Sequence, residues 1–323
     1  MHAFINSPLQ IGSLNLPHRL IQGPLAGYSC APFRALFHQF RPPAYAVSEM
    51  ISAQDVVSRH QVSSRYLQRA AAEKLLAYQI SGTEPMIMAQ AAQKLEALGA
   101  NIIDINCGCP KTKIRKKGAG SALLDVPETL LRIVDSVRQT IRVPLTIKMR
   151  IQEQEKDIWL IQSLANAGVD ALIIHGRKWT DDYTRPVNYA WLAQLKQHVS
   201  IPVIANGDIS DAPSLEQAFK ESQCDGFMIA RAGTGNPWLY QQLLQQERLI
   251  ISLKQRLDFF LIHLNELSIL ENEFKAVLQS KSLVRYYFRQ ELTGTQLQEF
   301  YQLSSLDTIA RFLEQTLRQL STY

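Results

Sequence analysis

The feature that most restricts the fold of this chain is a regular alternation of short apolar runs with longer amphipathic segments. Each run is short enough for a strand that is covered on both faces. Strands that alternate with helices build a parallel sheet. Eight strands are predicted before residue 236: Arg19–Gly23, Ala44–Val47, Leu75–Ile80, Ile102–Ile105, Leu145–Lys148, Ala171–Ile174, Pro202–Ala205 and Gly226–Ala230.

The segments between these runs carry helix signals. Proline in the first turn and glycine after the last turn are the positions that helices favour for these residues. Pro85 and Gly99 bracket one such segment, and Pro127 opens another. Asp211 and Pro213 begin a third. Eight strands alternating with helices predict an α/β fold of the (β/α)8 TIM-barrel type, and an open doubly wound sheet is the second interpretation.

The pattern changes after Asn236 and Pro237. Residues 245–323 contain one glycine and no proline, and their leucine and aromatic residues recur at helical spacing. This region predicts an all-α helical bundle appended to the barrel. The predicted division is a barrel domain over residues 1–240 and a C-terminal helical domain over residues 245–323.

Composition indicates an ordinary globular protein, with 46% hydrophobic and 20% charged residues. The N-terminal residues lack the pattern of a signal peptide, and no apolar run approaches the ~20 residues that span a bilayer. The four cysteines show no disulfide framework and no zinc-ligand spacing. We therefore expect a cytoplasmic protein with no membrane segment and no metal site. A monomer is the default expectation for its oligomeric state.

The positive charge is concentrated in the barrel part of the chain. The formal net charge is +5, whereas residues 236–323 hold nine Lys and Arg against nine Asp and Glu. The excess therefore lies before residue 236. A focused basic patch is typical of a protein that binds nucleic acid or another phosphate-rich partner. The predicted basic loop consists of Lys111, Lys113, Arg115, Lys116 and Lys117.

A second cationic surface is predicted in the helical region. Lys281, Arg285 and Arg289 are spaced four residues apart, so they share one face of a helix. Alone, such a basic stripe is usually a solvated helix face. Together with the basic loop it supplies the two cationic surfaces that a long anionic ligand requires.

A restricted turn that carries a thiol follows the fourth predicted strand. The strand ends at Asn106, and Gly108 and Pro110 limit the loop on both sides of Cys109. A lone cysteine is most often a small buried hydrophobe. Here the thiol stands between a strand end and the basic loop, so we predict that Cys109 takes part in chemistry on a polyanion.

Polar and glycine-rich residues stand at the carboxyl ends of the predicted strands, where TIM barrels carry their chemistry. They are Pro24, Leu25, Ala26, Ser48, Glu49, Gln79, Asn106, Lys148, His175, Arg177, Asn206, Gly207, Asp208, Ala230 and Arg231. The glycine-rich ends of strands seven and eight match a phosphate cradle. A cofactor with a phosphate tail and a planar head, such as flavin mononucleotide (FMN), fits this pattern. Lys148 suits the electron-rich edge of a flavin ring.

The motifs resemble, in order and spacing, those of the tRNA-dihydrouridine synthases, most closely their bacterial B-type branch. The matching segments are GPLAGYSCAPFR, SEMIS, YQISG, IDINCGCPKTKIRKKGAGSALL, LTIKMR, IIHGR, IPVIANGDI and MIARAGTGNPW. They cover the predicted barrel, and the helical region matches more loosely. Leu25 and Cys107 stand where the pattern usually has methionine, and Ala230 where it usually has glycine.

The resemblance implies an FMN enzyme that reduces the C5–C6 double bond of a D-loop uridine in tRNA, with NADPH as the reductant. Cys109 matches the proton donor to C5, and Asn106 and Arg177 match positions near the uracil. The basic loop and the basic stripe are expected to hold the tRNA backbone. The residues that match the cofactor site are Pro24, Leu25, Ala26, Gln79, Lys148, His175, Asn206, Gly207, Asp208, Ala230 and Arg231.

Two other functions are compatible with these residues. A flavin barrel that reduces a free pyrimidine, as dihydroorotate dehydrogenases do, has the same architecture but needs no cationic loop. A non-catalytic RNA-binding barrel needs the cations but neither Lys148 nor the Cys109 thiol. Activity on tRNA against uracil or orotate tests the first alternative, and bound flavin tests the second.

Overall fold

The computed structural model describes residues 1–320 and confirms the predicted barrel. Eight parallel strands close into a ring, because β3 pairs with both β11 and β4, and β4 pairs with β6. The ring consists of β3, β4 and β6 to β11, while β1 and β2 form a separate hairpin and β5 pairs with β6 beside β4. The bounds of the strands are β1 (Leu9–Ile11), β2 (Leu14–Leu16), β3 (Leu20–Gln22), β4 (Ala46–Val47), β5 (Ile51–Ser52), β6 (Leu76–Ser81), β7 (Ile102–Cys107), β8 (Leu145–Arg150), β9 (Ala171–His175), β10 (Val203–Asn206) and β11 (Gly226–Ile229).

Helices occupy the predicted segments between the strands, and proline stands in the first turn of those that begin at residues 85, 127 and 212. The buried residues of these helices pack on the outer face of the strands in one continuous core. The helices are α1 (His2–Ile5), α2 (Ala31–Leu36), α3 (Ala53–Ser58), α4 (Pro85–Ala97), α5 (Thr112–Arg115), α6 (Pro127–Arg138), α7 (Glu155–Asn166), α8 (Tyr189–Lys196), α9 (Ala212–Ser222) and α10 (Leu239–Gln245).

The hairpin formed by β1 and β2 is absent from the sequence predictions, because each of its strands is only three residues long. Leu9 and Leu16 are buried in the cluster that fills the barrel interior. A side chain at Gly12 would meet Asp170 and Pro144, which precede β9 and β8. The hairpin therefore covers the amino ends of the strands and leaves the carboxyl ends as the open mouth.

The second barrel strand also differs from the prediction. The sequence predicts one strand over Ala44–Val47, whereas β4 and β5 are two short pieces that both pair with β6. Between them, residues 48–50 face two residues of β6, which makes a β-bulge. The Ser48 hydroxyl in this bulge accepts a hydrogen bond from the backbone N–H of Gln79 at 3.1 Å. The bulge thus fixes the strand end that carries Gln79.

The chain continues after the barrel as helices, as predicted: α11 (Leu253–Leu270), α12 (Glu273–Tyr287), α13 (Gly294–Gln302) and α14 (Leu306–Leu320). Phe260 of α11 packs edge-on against Tyr287 and Phe288, and these buried rings form the centre of the helical layer. Residues 321–323 of the predicted helical domain lie outside the described residues. Within residues 1–320, no helix is long and apolar enough to cross a membrane.

A polar bridge joins the C-terminal helices to the mouth of the barrel. The Arg65 guanidinium donates to Glu49 at 2.6 Å and also to Glu271, which follows α11. Gln279 of α12 donates to the backbone carbonyl of Gly27 at 2.8 Å, and the Gly27 N–H donates to Glu49 at 3.2 Å. The helices are therefore tied to the segment that follows β3.

Candidate active site

The carboxyl ends of the barrel strands open into a cavity of about 2070 Å³, here called the mouth cavity. One wall comes from the strand ends, and the opposite wall comes from α12, α13 and the segment between them. The predicted cofactor, catalytic and uracil-site residues that line it are Pro24, Leu25, Ala26, Gln79, Asn106, Cys109, Lys148, His175, Asn206, Gly207, Asp208, Ala230 and Arg231.

The turn that carries Cys109 is held through its backbone. The Asn106 side-chain oxygen accepts the N–H groups of Gly108 at 3.2 Å and of Cys109 at 3.0 Å. The Cys109 carbonyl accepts the Ser121 N–H at 3.1 Å and the Ser121 hydroxyl at 3.0 Å. A side chain at Gly120, whose φ is +63°, would come within 2.9 Å of that carbonyl. The half-buried thiol is therefore fixed on the cavity wall by groups on both sides.

Asp104, which is absent from the site residues predicted above, lies in the barrel interior beneath this turn. It is buried, and its carboxylate accepts hydrogen bonds from the Thr146 hydroxyl at 2.6 Å and the Gln79 amide at 2.7 Å. Burial raises the pKa of Asp104 to about 6, against the lowering effect of these two donors and of Lys148. A carboxylate inside the apolar run of β7 is the sequence signal that could have identified it.

Lys148 supplies a positive charge at the cavity wall. Its ammonium donates to the Asn206 side-chain oxygen at 2.8 Å, and the Asn206 amide donates to the Met228 carbonyl at 2.9 Å. Burial and, secondarily, the nearby Arg150 lower the pKa of Lys148 to about 8. The ammonium is therefore retained near neutral pH and lost in mild alkali.

His175 contributes a neutral ring to the cavity. Burial and then the charges of Lys148 and Arg150 lower the pKa of His175 to about 2. A side chain at Gly207, where φ is +122°, would come within 2.8 Å of the imidazole. Glycine at this position thus lets the end of β10 pack directly against the ring.

Arg150 also lines the cavity and is absent from the site residues predicted above. Its guanidinium is buried and donates to the Gly108 carbonyl at 2.9 Å and the Lys178 carbonyl at 2.8 Å. It follows Lys148 by two residues on β8, so the period of a strand places both side chains on one face. That spacing is the signal that could have identified it.

The structure places Arg177 behind the cavity wall, since it is not among the cavity-lining residues. Its buried guanidinium makes two hydrogen bonds to the Asp208 carboxylate, at 2.9 and 2.5 Å. It also donates to the carbonyls of Tyr183 and Arg185. These bonds hold the loop after β9 so that Tyr183, which lines the cavity, covers the Arg231 guanidinium at 3.9 Å.

The basic loop divides between the mouth cavity and its surroundings. Lys111 and Lys113 are exposed and line the cavity. Arg115 turns away, because it pairs with Asp125 at 2.8 Å and lies 3.6 Å from the centre of the Trp179 ring. Lys116 is exposed, and Lys117 lines a separate cavity of about 230 Å³.

The basic stripe faces the mouth cavity from the opposite wall. Lys281, Arg285 and Arg289 all line the cavity. Lys281 donates to the backbone carbonyl of Tyr301 at 2.7 Å, and Arg285 donates to the Tyr301 hydroxyl at 2.5 Å. The prediction of one continuous helix face is wrong for Arg289, because α12 ends at Tyr287. Cations nevertheless flank the opening on both sides.

A family model and several named proteins match this chain. A family model described as "Dihydrouridine synthase (Dus)" matches residues 21–321. The protein named tRNA-dihydrouridine synthase B from Pseudomonas aeruginosa is 34% identical over 87% of this chain and 87% of its own. The proteins of the same name from Shewanella oneidensis and Yersinia pestis are 33% and 39% identical, over 88% and 73% of this chain and 90% and 74% of their own.

Solved structures share the barrel fold at low identity. Morphinone reductase, solved in complex with tetrahydroNAD, has a TM-score of 0.57 at 14% identity and covers 78% of this chain and 93% of its own. A 2-naphthoyl-CoA reductase has a TM-score of 0.59 at 12% identity, covering 76% and 53%. The family resemblance predicted from the motifs is thus confirmed over both the barrel and the C-terminal helices: this chain belongs to the dihydrouridine synthase family.

Proposed function

We propose that this chain reduces the C5–C6 double bond of a D-loop uridine in tRNA to dihydrouridine, with FMN bound in the mouth cavity and NADPH as the reductant. Membership of the dihydrouridine synthase family and the names of the similar proteins support the reaction. The observation that carries the proposal is the position of the Cys109 thiol. It shares one cavity with Lys148, beneath a rim that is cationic on both sides.

The residues of the cavity fit FMN. Gly207 lines the cavity with a φ of +122°, so backbone without a side chain faces the cavity at the end of β10. Together with the half-exposed Arg231, this arrangement suits a phosphate. Leu25 and Ala26 offer an apolar surface for a planar ring, and Lys148 and Gln79 offer polar groups for its edge. Bound FMN, once reduced by NADPH, supplies a hydride to C6 of the uracil.

Cys109 is the group that we assign to donate the proton to C5. The thiol lies on the cavity wall, and its turn is anchored at both backbone groups, which keeps the proton in place for transfer. His175 is held neutral and Asp104 lies in the barrel interior. One hydride at C6 and one proton at C5 complete the reduction, and solvent restores the thiol proton.

The tRNA must present its uridine outside the base stack to reach the strand ends. Lys111 and Lys113 on one side and the basic stripe on the other are placed to hold phosphates around that base. We therefore assign residues 1–240 to catalysis and residues 245–323 to tRNA binding. Since one chain supplies the whole cavity lining, we propose that the protein acts as a monomer. We also propose that it acts in the cytoplasm.

The proposal is tested with purified protein, FMN, NADPH and three substrates: unmodified tRNA, free uracil and orotate. Mass spectrometry of the products should show a gain of two hydrogen atoms on a D-loop fragment of tRNA, with no comparable turnover of either free pyrimidine. Equal turnover of a free pyrimidine would instead support the dihydroorotate-dehydrogenase-like alternative. Failure to bind FMN at all would support the non-catalytic alternative.

A further inference from the structure

A chain of hydrogen bonds connects the barrel interior to the turn of Cys109. The Asp104 carboxylate accepts from the Gln79 amide nitrogen at 2.7 Å, and the Gln79 oxygen accepts from the Asn106 amide nitrogen at 2.8 Å. The Asn106 oxygen accepts from the Cys109 backbone N–H at 3.0 Å. We call Asp104, Gln79 and Asn106 the amide relay. Asp104, Gln79 and Asn106 are all at least nine-tenths buried.

The two ends of the amide relay fix its direction. An ionised carboxylate only accepts hydrogen bonds, and a backbone N–H only donates. The Gln79 amide must therefore turn its nitrogen toward Asp104 and its oxygen toward Asn106. The Asn106 amide must in turn present its oxygen to Cys109. The pKa of Asp104, raised to about 6 chiefly by burial, still leaves a carboxylate at neutral pH.

This direction decides which atoms face a ligand. An amide nitrogen carries two N–H groups, and the relay uses one from Gln79 and one from Asn106. Among the described residues, none accepts the second N–H of either amide. Both side chains line the mouth cavity. The wall therefore presents N–H donors here, which suit the carbonyl oxygens of a flavin ring or a pyrimidine.

We propose that Asp104 is a positioning residue, which acts through Gln79 and Asn106 to orient the ligand-facing amides and to hold the turn that carries Cys109. The importance of that turn for chemistry rests on the proposed function. The coupling between Asp104 and the turn does not, so it can be measured on the protein without cofactor or tRNA.

The reactivity of Cys109 toward iodoacetamide reports on the turn directly. Cys30, Cys107 and Cys224 are buried, whereas Cys109 is half-buried on the cavity wall. Alkylation of the flavin-free protein, followed by peptide mass spectrometry, thus gives a rate for Cys109 alone. A turn that has lost its anchor opens more often, and its thiol is alkylated faster.

Five variants separate the effect of the amide relay from the effect of burying a polar group. Asp104→Leu removes the acceptor, and we expect alkylation of Cys109 to accelerate about fivefold. Asp104→Asn can still accept from Gln79 while its amide donates to the Thr146 hydroxyl, so the rate should stay within about twofold of wild type. Thr146→Val is the matched control, because it removes the other hydrogen bond of Asp104 without touching the amides; it should also stay within about twofold.

The last two variants test whether one hydrogen bond of the relay can be broken and then restored in the reverse direction. Gln79→Glu alone sets two carboxylates against each other, and alkylation should accelerate as in Asp104→Leu. In the double variant Gln79→Glu/Asp104→Asn the residue at 104 donates and the one at 79 accepts, and the residue at 79 still accepts from Asn106. The double variant should therefore return to within about twofold of the wild-type rate. This comparison remains available if Asp104→Leu does not fold.

The outcomes are distinct. Wild-type alkylation rates in both Asp104→Leu and Gln79→Glu, or no rescue in the double variant, would overturn the proposal. A rate that rises in every variant in proportion to its loss of thermal stability would also overturn it, since burial alone would then explain the effect. If the alkylation pattern holds but the wild-type protein does not reduce tRNA, the amide relay stands and the proposed function fails.

Discussion

Cys109 is held in place by its backbone, and its side chain stays available to a substrate. Asn106 accepts its N–H, and Ser121 donates twice to its carbonyl. A small residue at position 109 should therefore leave the turn and the cavity intact. This separation of support from chemistry makes substitution of the thiol informative.

Replacement of Cys109 by alanine is expected to preserve bound FMN and tRNA affinity while lowering turnover about 10²–10⁴-fold, the usual contribution of a general acid. FMN content from the visible spectrum, tRNA binding by filter retention and single-turnover rates measure the three quantities. Cys107→Ala is the matched control, because that neighbouring thiol is buried away from the cavity. Wild-type turnover in Cys109→Ala would remove the thiol from the mechanism.

The lowered pKa of Lys148 leads to a prediction for the pH dependence of FMN binding. Its folded-state pKa is about 8, so the ammonium is present at pH 7 and is lost as the pH rises through 8. If the ammonium charge helps to hold FMN, the dissociation constant of FMN should be about tenfold higher at pH 9 than at pH 7. Flavin fluorescence titrations between pH 7 and pH 9 measure it. Lys148→Met should bind FMN weakly at both pH values; an unchanged wild-type affinity across this range would contradict the assignment.

At the scale of elements, the strands of the barrel are the part that sequence predicts best. Strands buried on both faces are continuous apolar runs, and each of the eight predicted runs overlaps a barrel strand. The β1–β2 hairpin and the bulge at residues 48–50 are not predicted, because they depend on short pairings set by tertiary contacts. The short β4 is therefore the least accurately predicted barrel strand.

The residues of the candidate site also divide into those that the sequence predicts and those whose position depends on tertiary contacts. Residues at strand ends, such as Lys148 and Asn206, are predictable because the barrel directs them to one mouth. The position of Arg177 is not, since its pairing with Asp208 and two loop carbonyls depends on how the loop after β9 folds back. Asp104 escapes prediction because its partners come from other strands.

The basic stripe makes a prediction for tRNA binding. Replacing Lys281, Arg285 and Arg289 by glutamine removes three cations from the cavity rim, so tRNA affinity should fall and its dependence on salt should become shallower. The salt dependence of the tRNA dissociation constant measures both effects. The matched control replaces three exposed cations of the C-terminal helices that do not line the cavity, namely Lys254 of α11, Lys275 of α12 and Arg311 of α14. This control variant should bind tRNA nearly as the wild type does. Equal losses in the two triple variants would contradict a specific tRNA surface.

At the scale of the whole molecule, the barrel and the C-terminal helices share an interface that includes polar bonds beside the cavity. Arg65 pairs with both Glu49 and Glu271, and Gln279 donates to Gly27, next to the segment that we assign to the flavin. At Gly235 a side chain would come within 2.7 Å of the Tyr286 backbone. The two walls of the mouth cavity are thus connected through the fold as well as facing each other.

Buried imidazoles make the folded state sensitive to acid. Burial lowers the pKa of His18 to about 4, of His175 to about 2 and of His263 to about 3. Below pH 6.5 the unfolded chain therefore binds more protons than the folded one, and the free energy of unfolding falls by about 2 kcal/mol per histidine at pH 5. Asp104, whose pKa is raised to about 6, offsets part of this loss.

Thermal unfolding scans between pH 7 and pH 5 should accordingly show a falling midpoint. The His263→Phe variant tests the attribution, because this ring lies among aromatic side chains in the helical layer, away from the mouth cavity. The fall should be smaller in that variant. A midpoint that is constant over this range, or an unchanged slope in His263→Phe, would contradict the assignment of neutral buried histidines.

The central claim is that the cavity at the barrel mouth reduces a tRNA uridine with Cys109 as the proton donor. The most direct measurement is mass spectrometry of D-loop fragments of tRNA from cells that lack this protein, complemented with either the wild-type chain or the Cys109→Ala variant. We predict that one D-loop position changes from dihydrouridine to uridine in the deficient cells, and that only the wild-type chain restores it. An unaltered D-loop in the deficient cells, or full restoration by Cys109→Ala, would contradict the claim.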